Sequence, residues 1–214
     1  EVLSGIERAK VEVNTEVEVI VVDDGSEDAT STVAEQLGAL VIRHPHNLGY
    51  GAALKTGIKH ARGDAVLILD ADTTYPTEKI AELWENFVSQ GFDMVVAARE
   101  GDVYRGSLVK SWLRWILRKI VEWCAERNIP DINSGMRVFS RKECLRHLPH
   151  LCDTFSFTTS LTLAFMMNGR FVKYIPIPYD KRVGISRVNL LSDSMKTLIY
   201  ILRAIIYYNP LKIF

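Results

Sequence analysis

The sequence predicts an α/β fold: a Rossmann-like, mostly parallel sheet flanked by helices. Three observations carry this expectation. Short β-branched runs alternate with helix-length amphipathic segments. Acidic clusters follow directly on two of those runs, at Asp23-Asp24 and at Asp70-Ala71-Asp72. Turn residues, glycine above all, close each segment where a helix or strand should end. With 214 residues at 48% hydrophobic, the chain has enough material for one full core and too little for two large domains.

The elements follow in order. Glu18-Val19-Ile20-Val21-Val22 reads as a buried strand ended by the turn residues Asp23-Asp24-Gly25-Ser26. Ser26 is the expected N-cap of a helix with first-turn acids Glu27 and Asp28, an apolar face of Val33, Ala34 and Leu37, and a stop at Gly38. Ala39 to Ile42 is the next strand, Tyr50 to Ala61 a helix, and Ala65 to Leu69 a strand that delivers Asp70 to its end. Pro76 is expected at a first helical position, with Ile80, Leu83, Trp84 and Phe87 at the 3.6-residue period until Gly91. Phe92 to Ala98 returns as a strand, Ser107 to Arg127 is a basic helix with Trp112, Trp115 and Trp123, and Phe171 to Ile177 is one more strand. A C-terminal amphipathic helix spans Leu190 to Tyr208, with Leu191, Met195, Leu198, Leu202 and Ile205 on one face.

Composition excludes several function classes. Twenty-six basic residues balance 26 acidic ones, so no global field draws a polyanion and no nucleic-acid partner is expected. Cys124, Cys144 and Cys152 match no metal knuckle or redox pair and read as reduced core thiols. The opening Glu1-Val2-Leu3-Ser4-Gly5 has no signal-peptide character, and residues 197–214 are interrupted by Arg203, Asn209, Pro210 and Lys212, too soon for a membrane span. A soluble or surface-bound protein is the expectation.

In open parallel sheets, ligands bind beyond the carboxyl ends of the strands, where both acidic clusters sit. Asp70 and Asp72, with no Lys or Arg beside them, would repel unless a cation lay between them. Their oxygens suit Mg²⁺ or Mn²⁺ shared with substrate phosphates. The alternative for this pair is a helix-capping role. Asp70-Ala71-Asp72-Thr73-Thr74 also fits the nucleophile motif of haloacid-dehalogenase-like phosphatases, but there the motif comes first in the domain, and here Asp23-Asp24 precedes it. His44 and His46, flanking Pro45 in a loop, are expected to be exposed and inert.

Asp23-Asp24-Gly25-Ser26, then Asn47 to Gly57 with Gly49, Gly51 and Gly57, then Asp70-Ala71-Asp72 resemble, in that order, family 2 glycosyltransferases of the A-type fold. Asp131-Ile132-Asn133-Ser134-Gly135-Met136-Arg137 and Arg182-Val183-Gly184-Ile185-Ser186-Arg187 are similar to later signatures of its polyprenyl-phosphate branch, which includes dolichol-phosphate mannose synthases. The resemblance implies inverting, metal-dependent transfer of a sugar from a UDP- or GDP-sugar donor to a dolichyl or undecaprenyl phosphate. It implies donor contacts at Val22, Asp24, Asp70, Ala71 and Asp72, and a metal site at Asp70, Asp72 and Thr74. Arg99, Arg114, Arg182 and Arg187 fall at phosphate-binding positions. Asp72, Asp131, Arg182 and Arg187 are the expected catalytic residues, Asp131 serving as base if a base exists; its alternative is a turn bond. The glycines of the Asn47–Gly57 segment read as packing sites rather than a phosphate cradle.

Three positions depart from the family. The chain begins after the usual first strand and its Pro-Ala-Tyr-Asn-Glu-like turn, inside the expected first helix. Thr74 stands where many members carry Gln, and Arg187 where the branch more often has Lys. The expected organisation is a catalytic domain over residues 1–188, lacking that strand, and an interfacial helix over 189–214. A membrane-associated protein on the cytoplasmic face is implied, with an anchor of transmembrane helices beyond this chain. Two further readings stay open: transfer to a saccharide hydroxyl, which needs an acid such as Asp131 as base, and a nucleotide-sugar-binding module without turnover.

Overall fold

The computed structural model describes residues 1–100, 108–179, 198–204 and 206–207. Helix α1 (Val2–Val13) opens the chain and ends at Asn14 in the left-handed conformation, a helix stop that asparagine tolerates. Then come β1 (Ile20–Asp23), α2 (Thr30–Gln36), β2 (Leu40–Arg43), α3 (Tyr50–His60) and β3 (Ala65–Ile68). A single 3₁₀ turn, Thr77–Lys79, follows Pro76 and leads into α4 (Ile80–Gln90), which Gly91 closes. The chain continues through β4 (Met94–Glu100), α5 (Leu108–Ala125), β5 (Arg137–Ser140), α6 (Arg141–His147), α7 (Phe157–Met167) and β6 (Val172–Pro178).

The described strands form two sheets. β1 pairs with β2 in parallel, Asp23 lying opposite Arg43. The other sheet has the order β3-β5-β4-β6, in which β4 and β6 are parallel while β5 runs antiparallel to both its neighbours. The sheet is therefore mixed, because β5 runs antiparallel between β3 and β4. Its two faces carry separate cores, and β4 shows why. Met94 and Val96 face α3, α6 and α7 through Ile58, Cys144 and Phe165, while Val95 and Ala97 face α1 and α4 through Ala9 and Leu83. This is the two-residue period of a strand buried on both sides. A third cluster joins α5 to α7 and to the helical residues Ile201 and Ala204.

Of the C-terminal helix, residues 198–204 and 206–207 are helical, with Ile201 and Ala204 buried and Ile199, Leu202 and Ile206 exposed. Its remaining residues lie outside the described ones. No helix among the described residues is long and apolar enough to cross a membrane. The three cysteines are free and buried, as core thiols should be.

Candidate active site

β1 delivers Asp23 and Asp24 to its carboxyl end, and the two acids have different partners. Asp23 is buried and accepts from the Ser26 amide at 2.7 Å and from the Ser31 hydroxyl. It is a turn-capping acid. Ser26, however, caps no helix: α2 starts at Thr30 behind Ala29, and the Ser26 amide closes a turn onto Asp23. Asp24 accepts from the amides of Leu48 and Gly49, each at 2.9 Å, and pairs with His44 Nδ1 at 2.7 Å. Three of its roughly four acceptor directions are thereby used inside the protein. Burial pushes the Asp24 carboxyl up, but the His44 ring and the two amides outweigh it and leave it below the usual carboxylate range.

His44 corrects an expectation. It is buried, its Nε2 lies 3.0 Å from the Thr56 hydroxyl, and it bridges α3 to Asp24. Strand pairing supplies the signal that a linear reading lacked: Asp23 is opposite Arg43, so the next residues, Asp24 and His44, are also neighbours.

The glycines act by close approach. Gly49, at φ 105°, and Gly51 lie so near the Cys152–Asp153 backbone that a Cβ would fall 2.8 and 2.3 Å from a carbonyl oxygen. Lys55 Nζ reaches the Leu151 carbonyl and the Asp153 carboxylate, both at 2.6 Å, and the Ala52 amide donates to Asp153 O at 3.0 Å. The amino end of α3 is thus fixed to residues 151–153, as the packing reading requires.

β3 ends two residues before Asp70. The Tyr50 hydroxyl donates to Asp70 Oδ1 at 2.9 Å, and the Tyr50 ring stacks on Phe155 with centroids 5.7 Å apart. Asp72 Oδ1 accepts from the Thr74 hydroxyl at 2.5 Å and the Thr74 amide at 3.3 Å. Thr73, held at φ 61°, turns the chain back to make those contacts. Thr74 is 1% exposed with its hydroxyl directed at Asp72. Through that hydrogen bond Thr74 orients Asp72. Val22, Asp70, Ala71, Asp72, Arg99 and Asn133 line one groove of about 2230 Å³.

The donor set fits a divalent cation. Two carboxylates supply hard oxygen atoms, and no group of three or more His, Cys, Asp or Glu stands together among the described residues. A cation here would take only part of its shell from the protein, and that suits Mg²⁺ or Mn²⁺ completing their coordination with phosphate and water.

Arg99 and Asp131 form a forked pair. Arg99 Nε and Nη2 donate to Asp131 Oδ2 and Oδ1 at 2.7 and 2.9 Å, and Asp131 is 1% exposed. Burial raises the Asp131 carboxyl, but the hydrogen bonds and charge of Arg99, with the amides of Arg99 and Asn133, carry it below the usual range. A carboxylate so held is a poor proton acceptor. Asp131 anchors Arg99, whose guanidinium also lies 5.2 Å from the centre of the Tyr179 ring, and it accepts from the Asn133 amide at 3.1 Å, the turn bond that is the alternative to a role as base.

Arg137 escaped the sequence reading as more than part of a motif. It is fully buried, and its Nε and Nη2 grip the Ser134 carbonyl at 3.1 and 2.5 Å while Nη1 meets Thr158 O and Thr162 Oγ1. This fixes the turn from Asp131 to Met136. Arg114 lies on α5 with its side chain outside the described residues, and Arg182 and Arg187 fall outside them altogether.

Solved structures share this architecture. Glucosyl-3-phosphoglycerate synthase from Mycobacterium tuberculosis, in complex with Mn²⁺, UDP and phosphoglyceric acid, aligns with 95% of this chain and 73% of its own at a TM-score of 0.72 and 19% identity. The same enzyme with Mn²⁺, UDP-glucose and glycerol 3-phosphate aligns with 94% of this chain and 75% of its own at 0.68 and 19% identity. The fold is that of the A-type glycosyltransferases. The chain belongs to glycosyl transferase family 2, whose description matches residues 5–147; the phosphatase alternative is set aside. Among curated relatives, a dolichyl-phosphate hexose transferase of Haloferax volcanii is 26% identical over 79% of this chain and 73% of its own. A low-salt glycan biosynthesis hexosyltransferase of that organism is 30% identical over 83% of this chain, and a bactoprenol glucosyl transferase of Shigella phage SfV 34% identical over 63%. The matched region spans 43% and 45% of those two relatives.

Proposed function

We propose that this protein transfers a sugar, with inversion, from a nucleoside diphosphate to a polyprenyl phosphate at a membrane surface. The observation that carries the reading is the engagement of Asp131 by Arg99 beside the Asp70–Asp72 groove. A saccharide hydroxyl needs a base to take its proton, and the acid expected to serve is committed to an ion pair. A phosphate monoester, with its second pKa near ~6, is already largely ionised at neutral pH and needs none. The relatives named for dolichyl phosphate and bactoprenol support the same acceptor class.

The roles divide by charge. Asp70 and Asp72 would hold the cation, which neutralises the charge growing on the leaving diphosphate. Val22, which lines the groove, is proposed for a donor contact, as is Asp24, which holds the Leu48 and Gly49 amides. Arg99, aimed by Asp131, would meet one phosphate; Arg114, Arg182 and Arg187 are proposed for the others, since holding two anions together is the main electrostatic cost of the reaction. The exposed Ile199, Leu202 and Ile206 support an interfacial seat for the C-terminal helix.

The groove also supports the expectation of an additional strand. One edge of β1 pairs with β2 and one edge of β3 with β5; residues 17–22 and 64–73 then border the groove between the two sheets. A strand laid there would join them and wall the donor pocket. The test is a panel of UDP- and GDP-sugars with Mn²⁺ or Mg²⁺ and a short polyprenyl phosphate, using the full-length protein and detecting product by mass. A polyprenyl-phosphate sugar is the expected product; transfer only to saccharide hydroxyls would overturn the reading.

A further inference from the structure

We propose that Tyr50 and Gly135 form a two-sided clamp that sets the orientation of the Asp70 carboxylate, making Tyr50 a positioning residue for the cation. This rests on the reading of Asp70 and Asp72 as the cation site. On one side, the Tyr50 hydroxyl donates to Oδ1 at 2.9 Å. On the other, Gly135 lies so close that a Cβ there would stand 2.4 Å from Oδ2, 2.7 Å from Cγ and 2.8 Å from Oδ1. All three of the nearest atoms to that position belong to the one carboxylate.

Both jaws are held from behind. Tyr50 begins α3, whose amino end is locked to residues 151–153, and its ring is backed by Phe155. The Gly135 amide donates to the Tyr75 hydroxyl at 2.7 Å, and Arg137 grips the preceding Ser134 carbonyl. A phenol hydroxyl is a neutral donor, so Tyr50 aims the carboxylate while leaving its negative charge for a cation. The clamp explains why a tyrosine in the glycine-rich Asn47–Gly57 segment and a glycine in the Asp131–Arg137 segment, 85 residues further on, serve one side chain.

The test compares the full-length wild type with Tyr50→Phe and Gly135→Ala by calorimetric titration of UDP in Mn²⁺ and in chelator, with thermal melting as a control. Tyr50→Phe keeps the stacked ring and removes only the donor. Gly135 is not at a positive φ, so alanine adds a Cβ whose nearest obstacle is Asp70. Both variants are expected to melt like the wild type, to bind UDP equally well in chelator, and to lose most of the Mn²⁺-dependent gain, roughly tenfold for the loss of one well-placed hydrogen bond. A wild type without any Mn²⁺-dependent gain would overturn the cation site itself. A wild type with that gain, matched by both variants, would leave the cation site standing and overturn the clamp. Should Gly135→Ala melt early, Tyr50→Phe alone decides.

Discussion

The two sheets hold their acids in different ways. In the four-stranded half, β4 residues Met94 to Ala97 are inaccessible to water and cores lie on both faces. There Asp131 is matched by a forked arginine. In the β1–β2 half, α2 has a single buried residue, Ala34, and Val33, Leu37 and Leu40 are about half exposed. There Asp23 and Asp24 are held mainly by amides, hydroxyls and one imidazole. The difference teaches where rigidity comes from: apolar packing in one half, a polar web around two carboxylates in the other. The groove lined by Asp70 and Asp72 runs between them.

Removing an ion-pair partner from the packed half should have the largest effect. Arg99→Ala leaves Asp131 buried without its counter-charge and is expected to cost about 3–5 kcal/mol, read as a lowered denaturant midpoint. In the β1–β2 half, Asp24→Ala strips acceptors from two amides and a histidine. The expected loss is about 2–3 kcal/mol, with hydrogen exchange accelerated first at residues 44–49. Equal protection there in variant and wild type would dissolve the contrast between the halves.

Much of this was legible in the sequence because it is local. β-branched runs ending in acids placed β1 and β3 within two residues, and Gly91 and the 3.6-residue period gave α4. What was missed depends on partners distant in sequence. α7 is buried on every side and carries Thr158, Thr159, Ser160 and Thr162, so no polar face marked it as a helix. β5 has Arg137 at its start, a charge that reads as surface until Ser134 and Thr158 close around it. In the site, the acid clusters stood out as residue types, whereas His44, Tyr50 and Arg137 become functional candidates only through register and packing.

Acid should sharpen the same contrast with a smaller effect at neutral pH. Asp23, Asp24 and Asp131 all lie below the ordinary aspartate value of about 3.9 in the folded protein. Their stabilisation is therefore complete above that value and is lost as pH falls through the folded values. Stability should be flat near neutrality and decline below about pH 4, with the β1–β2 half, which has the thinner core, losing protection first. Simultaneous loss in both halves would show that they unfold as one unit.

The central claim is that Asp70 and Asp72 share a cation with the donor diphosphate across the groove. Its most direct measurement is the affinity of UDP for the full-length protein in Mn²⁺ and in chelator, repeated with Asp72→Asn. The account predicts binding at least about tenfold tighter with Mn²⁺ and no difference between the two conditions in the variant. Equal affinity in Mn²⁺ and chelator for the wild type, or an undiminished Mn²⁺ gain in Asp72→Asn, would contradict it.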